Sequence, residues 1–420
     1  MNKITTLAQI CDALSDGLHK APIFNPNGEY LFVNATNLEN GHIVDKGEGK
    51  RADFSEFQKY GIELNDRTIL YSIDGTIGNI AKYRGEKVIL GKGACYLMVN
   101  ESVDPDFIYF LLQSEAFNGY IRKMSTGSTI HHISLETMRN FKFSLPDYED
   151  QKRISSVLMA LENKIHHNTR LTAELESMAK TIYDYWFTQF AFPDKDGKPY
   201  RSSGGAMEWN EQLKREIPCG WKAENIQTVC SIIDCLHSQK PEKDFVAEEY
   251  YLLQLENLVD LGLIDLKSKY YVSKEMYDLW TSRIEVKDGD LVVTNAGRVG
   301  AVSRIPNYVT AGMGRNMTAI RPEKIPAFFL YYFFRSPDFS VQMRANTDAG
   351  AFFGSLNVRG IKQLMITIPP EDSDILVQFD SVVGPMRRKI EALQLEVEEL
   401  TKLRDWLLPM LMNGQVTVAD

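Results

Sequence analysis

The sequence predicts an α+β protein in which one unit is written twice: two similar globular domains, each followed by a long helix, with an internal pseudo-twofold repeat. Three observations predict it. Segments of the first half recur in the second at a nearly constant offset, apolar residues after each half fall at heptad spacing, and a stretch rich in Gly, Ser, Pro and charge separates the halves.

The repeat comes first because missing one mistakes the whole architecture. ILYSIDGTIGNIA, from Ile69, matches LVVTNAGRVGAV, from Leu291, with Gly75 over Gly297 and Gly78 over Gly300; both read as strand, glycine turn, strand. FIYFLLQS, from Phe107, matches FLYYFFRS, from Phe329, and both read as an apolar helix crossing a core. TGSTIHHISLETMRNFKFSLP then matches AGAFFGSLNVRGIKQLMITIP, with Gly127 over Gly350, Ser134 over Asn357 and Pro146 over Pro369. The starts agree as well, since EYLFVNATNLENGHI resembles EYYLLQLENLVDLGLI, with Asn37 over Asn257.

After the first half, Ile154, Leu158, Leu161, Ile165, Leu175 and Ile182 step by fours and threes where unbroken, with Asn168 and Thr172 filling two seam positions. The second helix repeats the pattern at Phe379, Val383, Met386, Ile390, Leu393, Val397, Leu400, Leu407 and Leu411. At ~1.5 Å rise per residue, about forty residues of helix extend roughly 60 Å. Helices so long, one at the end of each repeat, are expected to pair with each other as an antiparallel coiled coil. The predicted boundaries are a first domain over 1–147, a helix over 148–190, a linker over 191–215, a second domain over 216–370, a helix over 371–413 and a tail over 414–420.

Composition narrows the function classes. Hydrophobic residues at 44% and charged residues at 25% suit a globular protein, and no apolar run approaches the ~20 residues that span a bilayer. The start, MNKITTLAQICDAL, lacks the unbroken apolar stretch of a secretory signal, so a cytoplasmic location is expected. Cys11, Cys95, Cys219, Cys230 and Cys235 show no CxxC spacing and are expected to be buried free thiols, not a zinc site. A formal net charge of −9 argues against a protein that coats nucleic acid, so any DNA site must be local or shared with partners.

The layout of domain, helix, domain, helix resembles the specificity subunit of type I restriction-modification systems over the whole chain. The most specific stretch is YDYWFTQFAFPDKDGKPYRSSGGAMEWNEQLKREIPCGW, Tyr183 to Trp221, which resembles the inter-domain region of that family. The resemblance implies two target recognition domains that each read one half of an interrupted double-stranded DNA target. It also implies long helices that dock two adenine-methyltransferase subunits, restriction and translocase subunits as further partners, and no catalytic residue in this chain. S-adenosylmethionine, ATP and Mg are then expected in the partner subunits and none here. The rival reading is a coiled-coil scaffold that binds protein through its globular ends.

Motifs of an independent enzyme fail on inspection. GEKVILGKG, Gly85 to Gly93, has five residues between Gly85 and Gly91 where a phosphate loop has four, and Gly93 where Ser or Thr would bind magnesium. FNPN, Phe24 to Asn27, is not the Asn-Pro-Pro-aromatic element of an adenine methyltransferase. PDKDGK, from Pro193, resembles fragments of nuclease sites, but it falls in the expected flexible linker and turn chemistry explains its Asp and Gly. His131 with His132, and His166 with His167, are adjacent pairs whose side chains point apart, with no ligand partner at a suitable spacing. His166 and His167 are expected to be exposed on the helix.

The residues expected to meet DNA are those with hydroxyl, amide or basic groups on or after the glycine turns, because such groups bind phosphates and base edges. In the first half these are Thr76, Asn79, Lys82, Arg84, Lys87 and Lys92, then Thr126, Ser128, His131 and His132. In the second they are Asn295, Arg298, Arg304, Arg315 and Asn316, then Asn346, Ser355 and Asn357. The two sets differ while the matched glycines and apolar residues keep one fold. Phe352 and Phe353 are expected to pack in the core or within their loop, not to stack on bases.

Overall fold

The computed structural model describes residues 3–47, 50–124, 132–236, 240–345, 356 and 358–418. The chain divides into two compact units, Met1–His167 with Val397–Asp420, and Asn168–Glu396. Each unit therefore holds one globular domain, part of its own long helix and part of the other one.

The first unit is built on an antiparallel sheet in the order Cys11–Ser15, Ala94–Val99, Thr68–Ser72, Ile80–Lys82. A second sheet places Tyr30–Val33 between Arg51–Ala52 and Val88–Leu90, the latter parallel to it. Lys3–Thr6 pairs with Lys142–Leu145. The second unit repeats this strand for strand: Cys230–Asp234, Met317–Pro322, Leu291–Thr294 and Val302–Arg304 form the first sheet. Tyr251–Leu253 lies between Tyr270–Tyr271 and a parallel Gly312–Met313, and Lys222–Asn225 pairs with Met365–Ile368. Registers repeat too, with Ala94 opposite Ser72 in one and Met317 opposite Thr294 in the other.

The apolar helices are Pro105–Leu111 and Ala327–Phe333, and their side chains from Phe107 to Leu111 and from Phe328 to Phe333 are buried. Asp104 caps the first by accepting the Phe107 amide at 3.0 Å, and its carboxylate also accepts the Ser155 hydroxyl at 2.6 Å. That buried contact ties the start of the first long helix to its own domain.

The long helices are Tyr148–Tyr183 and Ile375–Met412, the first continuing into a π-helical turn over Asp184–Thr188. In the first unit Leu158 shares a core with Leu411, and Ile154 and Leu407 pack against that core. In the second, Tyr183 and Trp186 meet Phe379 with ring centroids about 6 Å apart. The seam differs in part from the heptad reading: Asn168 and Thr172 are buried at the seam positions given to them, but Gln151, Ser155, Glu176 and Arg387 are buried too, whereas Leu161, Ile165, Leu175, Ile182, Met386, Val397, Leu400 and Leu407 are only half-buried. Val383, Ile390 and Leu393 are buried. Burying Glu176 and Arg387 in the seam is tolerable because each meets the other there.

Two further expectations are corrected. The segment 191–215 is not a flexible linker: Phe190 and Phe192 are buried among Trp221 and its neighbours, and Tyr200 stacks on Phe192 at 4.8 Å. Met207–Asn210 pairs with Arg215–Pro218 as a hairpin, and Arg215 reaches Asp338 at 2.8 Å. Within it, Asp194 accepts the amides of Asp196 and Lys198 at 2.9 Å, the turn role expected for PDKDGK. Among the cysteines, Cys95, Cys230 and Cys235 are buried and Cys11 half-buried, but Cys219 is exposed. No helix of the described residues is long and apolar enough to cross a membrane.

Candidate nucleic-acid interface

Each domain carries the same device at one end of its central sheet. In the first, Ser72 ends a strand and its hydroxyl donates to the Thr76 carbonyl at 2.5 Å while accepting the Asn79 amide at 2.8 Å. In the second, Thr294 does the same work, donating to the Arg298 carbonyl and accepting the Ala301 amide at 3.1 Å. Gly75 and Gly297 have φ values of 71° and 74°, a left-handed conformation that glycine adopts without strain, and a Cβ on Gly75 would meet open space. The turn thus brings Gly75 and Thr76, or Gly297 and Arg298, to the surface, while Ile77 and Val299 pack back on the core.

A second segment lies beside each turn. Gly93 and Asn316 both have positive φ immediately before the central strand, and each follows a basic residue, Lys92 or Arg315. The structure thereby makes Lys92 and Arg315 equivalents. Beside each turn, Ile133 donates to the Ile73 carbonyl at 2.9 Å, and Leu356 to the Asn295 carbonyl at 3.1 Å.

The shared frame carries different chemistry. In the first domain Asp74 sits on the turn, 3.4 Å from the Lys92 ammonium and 3.9 Å from the His132 ring nitrogen, with Thr76 exposed beside it. In the second, the position of Asp74 is Ala296, and Arg315 is exposed with no hydrogen bond or ion pair among the described residues. Arg298 is exposed but tethered to Asp260 at 3.1 Å. One end thus presents an ammonium, an imidazole and a hydroxyl moderated by a carboxylate, the other two guanidiniums, one of them unpaired among the described residues. Both sets suit phosphate oxygens, and a guanidinium also matches the paired acceptors of guanine.

Several expected site residues turn out to have structural partners. Asn79 donates its amide to the Ala35 carbonyl at 2.9 Å, and Asn295 is buried, accepting the Thr318 hydroxyl at 3.0 Å. Lys82 and Arg84 lie at the opposite end of the hairpin from the turn; Lys82 pairs with Asp106 and Arg84 donates to the Gly41 carbonyl at 2.7 Å. Lys87 is exposed and pairs with Glu29. Arg304 corrects the expectation most sharply: 9% exposed, it is held between Glu391 at 2.9 Å and Asp288 at 2.8 Å and lies over the Phe328 ring. Sequence chemistry cannot separate a surface arginine from one that locks a domain to a helix. Thr126, Ser128, His131, Asn346, Ser355, Asn357, Phe352 and Phe353 lie outside the described residues.

The sequence reading missed the residues that shape the turns and tether the cations: Ser72, Thr294, Asp74 and Asp260. A hydroxyl directly before each matched glycine turn was the signal available for the first two. His166, expected to be exposed on its helix, instead stacks its ring on His42 with centroids 3.7 Å apart. Burial, then the Arg84 and His166 charges, push His42 down to about 4.

Comparison with known proteins accords with this layout. Residues 2–177 match the family described as Type I restriction modification DNA specificity domain. The chain is 23% identical over 367 residues to the Type I restriction enzyme MjaIX specificity subunit of Methanocaldococcus jannaschii, covering 84% of this chain and 78% of that one. It is 23% identical over 358 residues to the HindI specificity subunit of Haemophilus influenzae, covering 74% and 77%. The crystal structure of a type I restriction-modification S subunit from M. genitalium superposes with a TM-score of 0.62 at 15% identity, over 97% of this chain and 95% of that one, which shows a shared fold. Repeat, strand order and sequence together make the chain similar, over most of its length, to type I restriction-modification specificity subunits, with the family match itself confined to residues 2–177.

Proposed function

We propose that this chain reads the two halves of an interrupted duplex DNA target, one with each domain, and docks adenine-methyltransferase subunits on its long helices, which pair as an antiparallel coiled coil and set the spacing between the halves. The observation that carries this reading is the turn pair: one backbone frame in both units, with Asp74, Lys92 and His132 at one and Ala296, Arg298 and Arg315 at the other. Keeping a frame while changing its tip is what reading two different sequences requires.

The helices support docking. Met178, Val377, Val382, Leu403 and Trp406 are large apolar residues exposed along them, the kind of surface a protein partner covers. In this reading methyl transfer, cleavage, and the S-adenosylmethionine, ATP and Mg they need belong to the methyltransferase and to restriction and translocase subunits.

Reconstitution tests it. The chain with S-adenosylmethionine should not methylate DNA, and adding two adenine-methyltransferase subunits should produce methylation at one interrupted motif. Methylation by the pure chain, or no sequence-dependent DNA affinity in the assembly, would overturn the reading; the latter result is what a protein-binding scaffold predicts.

A further inference from the structure

The two long helices carry equivalent positions 225 residues apart, so Glu162 corresponds to Arg387, Glu176 to Thr401 and Ala179 to Arg404. In the first unit Glu162 of the first helix accepts Arg404 of the second at 2.8 Å, and the Tyr109 hydroxyl donates to the same carboxylate at 3.4 Å. In the second unit Arg387 of the second helix pairs with Glu176 of the first, and Tyr332 donates to that carboxylate at 2.9 Å. Tyr331, the repeat equivalent of Tyr109, donates there too at 3.4 Å. Glu162 and Arg387 occupy equivalent places with opposite sign, and their partners Arg404 and Glu176 lie at repeat positions three residues apart: the group is acidic on the first helix and basic on the second in both pairs.

We propose that these two reversed ion pairs form a pairing code by which each long helix accepts the other and refuses a second copy of itself. If the first helix met another first helix in the same antiparallel register, Glu162 would face Glu176 and Ala179 of the second copy, setting two carboxylates together at each end. If the second helix met another second helix, Arg387 would face Thr401 and Arg404, again like against like. Positions 176 and 179, and likewise 401 and 404, share a helix face, so a small shift of register brings no opposite charge. The unlike pairing alone neutralises both ends. Since Arg387 and Glu176 are buried, a wrong pairing strands a charge away from water. Asn168 and Thr172, buried in the first seam where the second has Leu393 and Val397, add to the asymmetry. The choice of helix partner is independent of DNA reading.

The test uses the full chain with the double variant Glu162→Arg and Arg404→Glu. That variant keeps an opposite pair within the chain. Between two chains it sets the new guanidinium at position 162 against Glu176, and Arg387 against the new carboxylate at position 404, so like helices become compatible. Two differently tagged copies are co-expressed and purified through both tags in turn, with a melting curve confirming the fold. Wild type should yield doubly tagged dimer only at background. The reversed variant should raise that yield roughly tenfold or more, as removal of several like-charge contacts implies. The neutral variant Glu162→Gln with Arg404→Gln should fall between. A folded reversed variant as monomeric as wild type, or a wild type that pairs as readily, would overturn the code.

Discussion

The two helix junctions invite comparison because they perform one task with opposite burial. At Arg387 and Glu176 the side chains are 0% and 4% exposed, Arg335 joins the carboxylate at 3.0 Å, both guanidiniums lie over the Tyr331 ring, and the Tyr332 hydroxyl donates to the carboxylate. At Arg404 and Glu162 they are 22% and 13% exposed, and Asp405 shares the guanidinium. A charge that water reaches loses little when its partner goes, and a sealed one loses a great deal. The second junction is therefore the more rigid anchor, and the first the one that tolerates change.

The largest expected effect follows from that difference. Glu176→Gln should cost the second unit about 3–5 kcal/mol, since it leaves Arg387 buried without a counter-charge, while Glu162→Gln should cost nearer to about 1 kcal/mol. Urea unfolding followed by tryptophan fluorescence can separate them, because Trp186, Trp209, Trp221 and Trp280 all lie in the second unit. Equal losses would mean that burial is not what distinguishes the junctions.

The turns sharpen the comparison next. Arg315→Ala should weaken binding of the second half-site by about 1–3 kcal/mol and leave the first half-site's preference unchanged. Arg298→Ala should do less, since Asp260 already holds that guanidinium. Lys92→Ala should weaken the first half-site about equally on all sequences if the ammonium meets phosphate. Binding of half-site variants by the assembled complex reads all three.

Glycine substitutions should have smaller effects. Gly75→Ala meets only the penalty of a left-handed residue, about 1 kcal/mol, whereas a Cβ on Gly300 would come within 2.4 Å of the Met343 sulfur, and Met343 must move. Thermal unfolding should therefore rank Gly300→Ala below Gly75→Ala.

The smallest effect should be one of pH, confined to the first unit. His42 is held down to about 4 when folded, against an ordinary 6.5, so between those values the unfolded chain binds more protons. Stability should fall as pH drops below about 6.5 and level off below about 4. In the second unit the helix position equivalent to His166 is Glu391, which pairs with Arg304 and involves no histidine. Calorimetry at a series of pH values on wild type and His42→Gln tests this: if the variant keeps the same slope, the His42 and His166 stack is not its source.

Much of this molecule was legible in the chain. The repeat, the glycine hairpins, the apolar helices and the two long helices follow from local periodicity and from positions that only glycine fills easily, and such properties are written in short segments. The turn tips were legible as a region but not as residues. Thr76, Lys92, His132, Arg298 and Arg315 gather there, while Asn79, Asn295 and Arg304, of the same chemical types, are taken up by partners inside the fold. Heptad spacing likewise found two helices but proposed Leu175 and Ile182 for a seam that buries Glu176 and Ala179. By itself, then, the sequence determined the repeated architecture and the chemical types available at each turn. Only the tertiary structure decided which charges are sealed and which are free, because the cost of burying a charge depends on the partner it meets. For Glu176 that partner stands 211 residues away along the chain.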